Sequence, residues 1–156
     1  MGLVTDAPYH DLCYRIIGAA MDVHNRLGPG HRERAYQRAL AIRLEELGFQ
    51  TETEVPVRIF FDDRPVGLLY LDCLVEGEVI VELKALPHLL TNEEVAQVIT
   101  YLAATGKPVG LLFNFGRRRL QFKRIFPPRK LEGWRDRIER YIWRPRGTRR
   151  WRENIR

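Results

Sequence analysis

Cysteine and histidine are scarce in this chain. Of its 156 residues two are cysteine, Cys13 and Cys73, and four are histidine. The cysteines stand sixty residues apart, with no second thiol or imidazole at ligand spacing, so structural zinc and iron–sulfur sites have no support. A disulfide between them stays open, although two buried thiols in a reducing compartment is the plainer reading. Long apolar runs are also missing. None reaches the roughly 18 residues that a membrane-crossing helix needs, and the acids Asp6 and Asp11 sit where a secretory signal would place its apolar core. A cytoplasmic protein without a membrane partner is therefore expected. Low-complexity stretches and internal repeats are absent as well, which argues against linker-rich and solenoid architectures.

What is present is one domain's worth of ordinary globular sequence, 45% hydrophobic and 29% charged. The net charge of +6 is concentrated at one end. Residues 129–156 contain 11 Arg or Lys against 4 Asp or Glu, while residues 1–128 are close to balanced. Aromatic residues interleave with the arginines there. Such a segment suits phosphate contacts and counterion release, so nucleic acid is the expected partner. A solvated tail, or one that binds an acidic protein, is the competing reading. The expected organisation is a domain over 1–128 followed by a basic C-terminal helix and tail over 129–156.

Apolar residues recur at helical spacing over about 8–27 (Leu12, Ile16, Ala19, Ala20, Val23, Leu27), and Gly28-Pro29-Gly30 closes that helix. A second helix is predicted from His31 to Leu47 on the stripe Tyr36, Leu40, Leu44, Leu47, with Gly48 as its stop. Strands are predicted at 52–61, 66–75 and 79–86. Pro56 points to an edge position for the first, and residues 62–65 form the turn after it. Thr91 and Glu94 have capping-box spacing at the start of a helix that Gly106 ends. Residues 108–115 read as a strand buried on both faces, and 119–126 as a half-exposed one. Leu131, Trp134, Ile138 and Tyr141 suggest a last amphipathic helix. This order of elements implies an α/β fold with a mixed central sheet flanked by helices.

The most informative stretch is residues 66–86, VGLLYLDCLVEGEVIVELKAL. If Glu76, Gly77 and Glu78 form a three-residue hairpin loop, Val75 pairs with Val79, Leu74 with Ile80 and Cys73 with Val81. Asp72 then lies opposite Glu82, and Lys84 shares their face. Two facing acids repel, and a hard divalent cation such as Mg²⁺ or Mn²⁺ would offset that repulsion. A two-residue loop would separate them, and both could instead face solvent on an amphipathic hairpin. Each, however, is an isolated charge in an apolar run, which is costly unless it serves a site.

Asp-x9-Glu-x-Lys on a hairpin, followed by a helix carrying Gln97 and Tyr101, resembles the PD-(D/E)xK nuclease superfamily, and the Gln-x3-Tyr spacing is similar to its RecB-like branch. Upstream, Gly30-x2-Glu33-x2-Tyr36 resembles the family named GxxExxY. The resemblance covers about residues 9–127, and Leu71 departs from it by standing where the superfamily name has Pro. It implies a restriction-endonuclease-like αβββαβ core and a metal-dependent nuclease; with no recognition domain visible, little sequence specificity is expected. It further implies Asp72, Glu82 and the Leu83 carbonyl as metal ligands, and Lys84 as the residue that orients water or meets phosphate charge. Glu33 would reach the metal directly or through water, and Gln97 and Tyr101 would touch the substrate or buttress the site. Arg117, Arg118, Arg119 and Lys123, with Arg146, Arg149 and Arg150 of the tail, are the candidate nucleic-acid contacts, DNA being favoured over RNA. A homo-oligomer is compatible with all of this. The competing function is a non-catalytic nucleic-acid-binding or interaction protein on the same fold. His24 resembles a family position but reads as a helix-surface or capping residue, and Tyr36 and Tyr101 read equally as core.

Overall fold

A computed structural model describes residues 9–127. The expected last helix and Arg146, Arg149 and Arg150 lie outside the described residues.

Two helices come first, α1 (His10–Leu27) and α2 (Glu33–Glu46), joined by the glycine–proline turn. Tyr36 fixes that turn. Its ring is fully buried and stacks on Phe115 with centroids 4.6 Å apart, while its hydroxyl donates to the Gly28 carbonyl at 2.6 Å and accepts from the His31 amide at 3.2 Å. It is therefore core with a satisfied polar tip. Helix α2 begins at Glu33, two residues later than its apolar pattern implies.

Strands β1 (Thr51–Phe61), β2 (Arg64–Val75) and β3 (Val79–Lys84) follow as an antiparallel meander. The turn between β1 and β2 is shorter than the cluster at 62–65 implies. Asp62 and Asp63, at φ 47° and 62°, make a two-residue turn, and Arg64 and Pro65 already belong to β2. Pro65 fits there because the register shifts between Ile59 and Phe60, a bulge that spares its missing donor. Between β2 and β3 the chain turns at Glu76–Glu78, with Gly77 at φ 67°. The pairs Val75–Val79, Leu74–Ile80 and Cys73–Val81 form as the loop length requires.

Helix α3 (Asn92–Thr105) carries the chain across the sheet to β4 (Val109–Asn114), which pairs parallel with β3, and β5 (Gln121–Ile125) closes the sheet antiparallel to β4. The Thr91 amide donates to Glu94 Oε1 at 2.9 Å and the Thr91 hydroxyl accepts from the Glu93 amide at 3.2 Å, giving the expected cap. The five strands lie in sequence order, so Pro56 is indeed on an edge.

The sheet separates two apolar layers. One packs α1 and α2 against Cys73, Val75, Val79, Val81, Leu111 and Phe113. The other packs α3 against Leu71, Leu74, Ile80 and Leu112. This is a restriction-endonuclease-like α/β architecture. Both cysteines are buried free thiols. No described helix is long and apolar enough to cross a membrane.

Candidate active site

The β2–β3 ladder stops at Cys73–Val81, and the next two residues do something else. The Asp72 amide donates to Glu82 Oε1 at 3.0 Å, and the Leu83 amide donates to Asp72 Oδ2 at 2.9 Å. Each carboxylate thus takes an amide from the opposite strand. The two acids are brought together as the loop length predicts, held by side chain to main chain contacts in place of a fourth ladder pair.

Glu82 is only 2% exposed, whereas Asp72 is half-buried. Burial is the main reason that the Glu82 carboxyl is pushed up to about 9. The charge of Asp72 raises it further, and the Asp72 amide and the Lys84 ammonium pull it back only in part. At neutral pH Glu82 therefore keeps its proton. The hydroxyl of buried Tyr101 is pushed up to about 12, first by burial and then by the charges of Glu82 and Asp72, so it stays a neutral donor and acceptor. It accepts from Gln97 Nε2 at 2.9 Å, which joins the two helix residues that were expected to act together.

At Lys84, two residues beyond Glu82, opens a cavity of about 500 Å³. Lys84 and Leu86 come from the end of β3, Glu33 from the start of α2, and Gln97 and Thr100 from α3. Glu33, Lys84 and Gln97 therefore share one space, although Glu33 is exposed and set apart from the acid pair. Among the described residues no group of three His, Cys, Asp or Glu side chains is placed to hold a metal. Two carboxylates with neighbouring main-chain oxygens still fit a hard cation such as Mg²⁺, which keeps several waters and takes one or two carboxylates from a protein. A buried Glu82 that keeps its proton beside Asp72 is also what a cation would relieve, by replacing that proton.

The wall behind Lys84 is built by residues that sequence reasoning passed over. Asn114 is fully buried. Its Oδ1 accepts from the Leu86 and Gly116 amides at 2.9 and 3.1 Å, and its Nδ2 donates to the His88 carbonyl at 2.8 Å. The Phe115 amide donates to the Lys84 carbonyl at 2.8 Å. A lone asparagine within the apolar run PVGLLFNF was the available signal. Arg117, expected at nucleic acid, donates to the Pro87 carbonyl at 3.1 Å, while Arg118, Arg119 and Lys123 are exposed. His24 differs from its surface reading. It is 6% exposed, and its Nε2 lies 2.8 Å from the Arg117 carbonyl, tying α1 to the same loop.

Gly116 lies directly on this segment, where an added methyl group would overlap the main chain of Ala85 and Leu86. Backbone cannot swing aside as a side chain can. Gly116→Ala is expected to destabilise the fold by about 1–3 kcal/mol and to displace Leu86 from the cavity wall. Urea unfolding measures the first effect, and a stability equal to that of the parent would contradict the close contact.

No curated protein and no solved structure matches the chain. The model of the PD-(D/E)XK nuclease superfamily does match, over residues 10–125, from the first turn of α1 to the end of β5, and the chain belongs to that superfamily.

Proposed function

We propose that the protein is a divalent-metal-dependent nuclease that hydrolyses phosphodiester bonds of nucleic acid, DNA in preference to RNA, with little intrinsic sequence specificity. The superfamily consists largely of phosphodiesterase nucleases that typically use divalent metals. The observation that carries the reading is the interlocked pair Asp72 and Glu82 beside a cavity into which Lys84 opens. A protein that only binds has no need of two carboxyl groups held together, one of them buried.

Asp72 and Glu82, with the Leu83 carbonyl as third donor, would hold Mg²⁺ or Mn²⁺. Such an ion, when bound, lowers the pKa of a coordinated water and polarises the phosphate. Lys84 adds fixed positive charge where negative charge builds up on the phosphoryl oxygens and orients the attacking water. Glu33 approaches from the opposite wall, through water. The Gln97–Tyr101 hydrogen bond gives that side of the cavity a neutral, fixed surface against which the sugar–phosphate chain rests. The wall carries Glu33, Glu93 and Glu94 against Lys84, so a phosphodiester entering it depends on a cation to meet its charge. Arg118, Arg119 and Lys123, with Arg146, Arg149 and Arg150, would hold the backbone without reading bases. Arg117 belongs with them only in part, since its guanidinium also ties down Pro87. The narrower likeness to the GxxExxY family is part of the same proposal: within that motif Glu33 faces the cavity and Tyr36 locks the preceding turn.

The test is cleavage of linear and circular DNA, single- and double-stranded, and of RNA, each with Mg²⁺, Mn²⁺ or EDTA. Cleavage is expected only with metal and is expected to vanish in a Glu82→Ala/Lys84→Ala double variant. Lys84→Met alone should lower the rate about 100-fold or more while leaving metal affinity nearly unchanged. Metal-independent binding without cleavage, lost when residues 129–156 are removed, would instead establish the binding-protein reading.

A further inference from the structure

Asp72 is an unusual strand residue, because it belongs to neither neighbouring ladder. On the β1 side Thr53 pairs with Cys73 and Val55 with Leu71, yet Glu54 and Asp72 between them do not pair, and Glu54 has the left-handed φ of 52°. On the β3 side pairing ends at Cys73–Val81. The main-chain groups of Asp72 must therefore find partners among side chains. Its amide goes to Glu82 Oε1. Its carbonyl accepts from Gln37 Nε2 at 2.8 Å. Gln37 is half-buried on α2, one turn beyond Glu33 on the same face, and Arg34 of that helix lies 3.6 Å from Glu54, on the other flank of the break.

We propose that Gln37 is a positioning residue for the carboxylate pair: by holding the Asp72 carbonyl it keeps this peptide out of both ladders, so that the Asp72 side chain faces Glu82 and the pair is preformed for a divalent cation. The inference rests on the metal-site reading given above. Without the Gln37 donor the peptide is free to rotate, and water can satisfy the carbonyl without fixing its direction. The Asp72 carboxylate then loses its fixed seat on the Leu83 amide. Partners of this kind, one step removed from the ligands, typically change metal affinity by about 10–100-fold. The core of α2 is made by Tyr36, Leu40 and Leu44, so Gln37 itself contributes little to folding.

The experiment is Mn²⁺ binding to the full chain by titration calorimetry, for the parent, Gln37→Met, which preserves length without a donor, and Gln37→Ala, which admits water. Asp72→Asn serves as the reference for loss of the site. Melting temperatures are taken in EDTA. The expected result is an Mn²⁺ Kd weakened about tenfold or more in both variants, with melting temperatures within a few degrees of the parent. Parent-like Kd values in both variants would overturn the role of Gln37 and leave the carboxylate site standing. A weakened Kd that comes only with a large fall in melting temperature would also overturn it, because Gln37 would then be supporting the fold. No Mn²⁺ binding by the parent would overturn the metal site and this inference together.

Discussion

Glu82→Gln is expected to yield a protein that is more stable than its parent above neutral pH and inactive as a nuclease. The sign follows from where the proton resides. In the folded protein burial, and then the charge of Asp72, hold the Glu82 carboxyl at about 9, against an ordinary value of 4.5. Between these two values the unfolded chain releases a proton that the folded chain keeps. Stability linked to this group is fully present below about pH 4.5 and is lost as pH rises towards 9. The slope is about 1.4 kcal/mol per pH unit in the middle of the window. Glutamine never ionises, so that slope disappears. Its Oε1 can still accept the Asp72 amide, and its amide group can donate to the Asp72 carboxylate in place of the protonated carboxyl. Urea unfolding in EDTA at pH 6, 7 and 8 reads the effect directly. Parent and variant curves that stay parallel across the series would show that Glu82 is not a buried protonated acid. Under the proposed function the same substitution also removes an ionisable metal ligand, and cleavage should fall by about three orders of magnitude or more.

The second large effect is a proton exchanged for a metal. Because Glu82 retains its proton up to about pH 9, binding of Mg²⁺ or Mn²⁺ at neutral pH is expected to release it. Apparent affinity should then rise about tenfold per pH unit between roughly pH 6 and 8. At about 100 times Kd the ion should stabilise the fold by about 2.7 kcal/mol. Calorimetry in two buffers of different ionisation enthalpy at one pH would separate the binding heat from the proton heat. Identical heats in the two buffers, or an affinity unchanged by pH, would contradict a proton held on Glu82.

Much of this arrangement was legible in the chain before any coordinates. The length of the Glu76–Glu78 loop fixed which residues of β2 and β3 face each other, since a side chain's face changes with every residue of slip. The lone charges of LLYLDCLV and VIVELKAL marked the place where that register mattered. Other parts were hidden for physical reasons. Periodicity shows which face is apolar, but not where a carboxylate will take over a strand's amide, so the break at Asp72 was invisible and Gln37, its partner, looked like ordinary helix surface. Pro65 looked like part of a turn because the bulge at Ile59–Phe60, which makes room for it, has no signature in the sequence. Asn114 was legible by the argument applied to Asp72 and Glu82, a polar residue alone in a buried strand, and was passed over because an amide bears no charge. His24 was misplaced because a histidine on a helix gives no hint of a carbonyl 93 residues away.

The cavity joins two kinds of surface that answer to different demands. Behind its Lys84 and Leu86 wall lie the interlocked acid pair, buried Asn114 and Gly116, each held by main-chain contacts that few exchanges preserve. Its rim, with His88 and Glu93, is exposed, and surface exchanges of that kind usually shift stability by no more than about 0.5 kcal/mol. Random drift in this gene can therefore rewrite the charge and width of the entrance repeatedly while the reacting centre stays as it is. Closely related chains would be expected to share their chemistry and differ in what they admit. In a library built on this scaffold, new substrate preferences should be sought first among rim codons, where the fraction of folded clones will be highest.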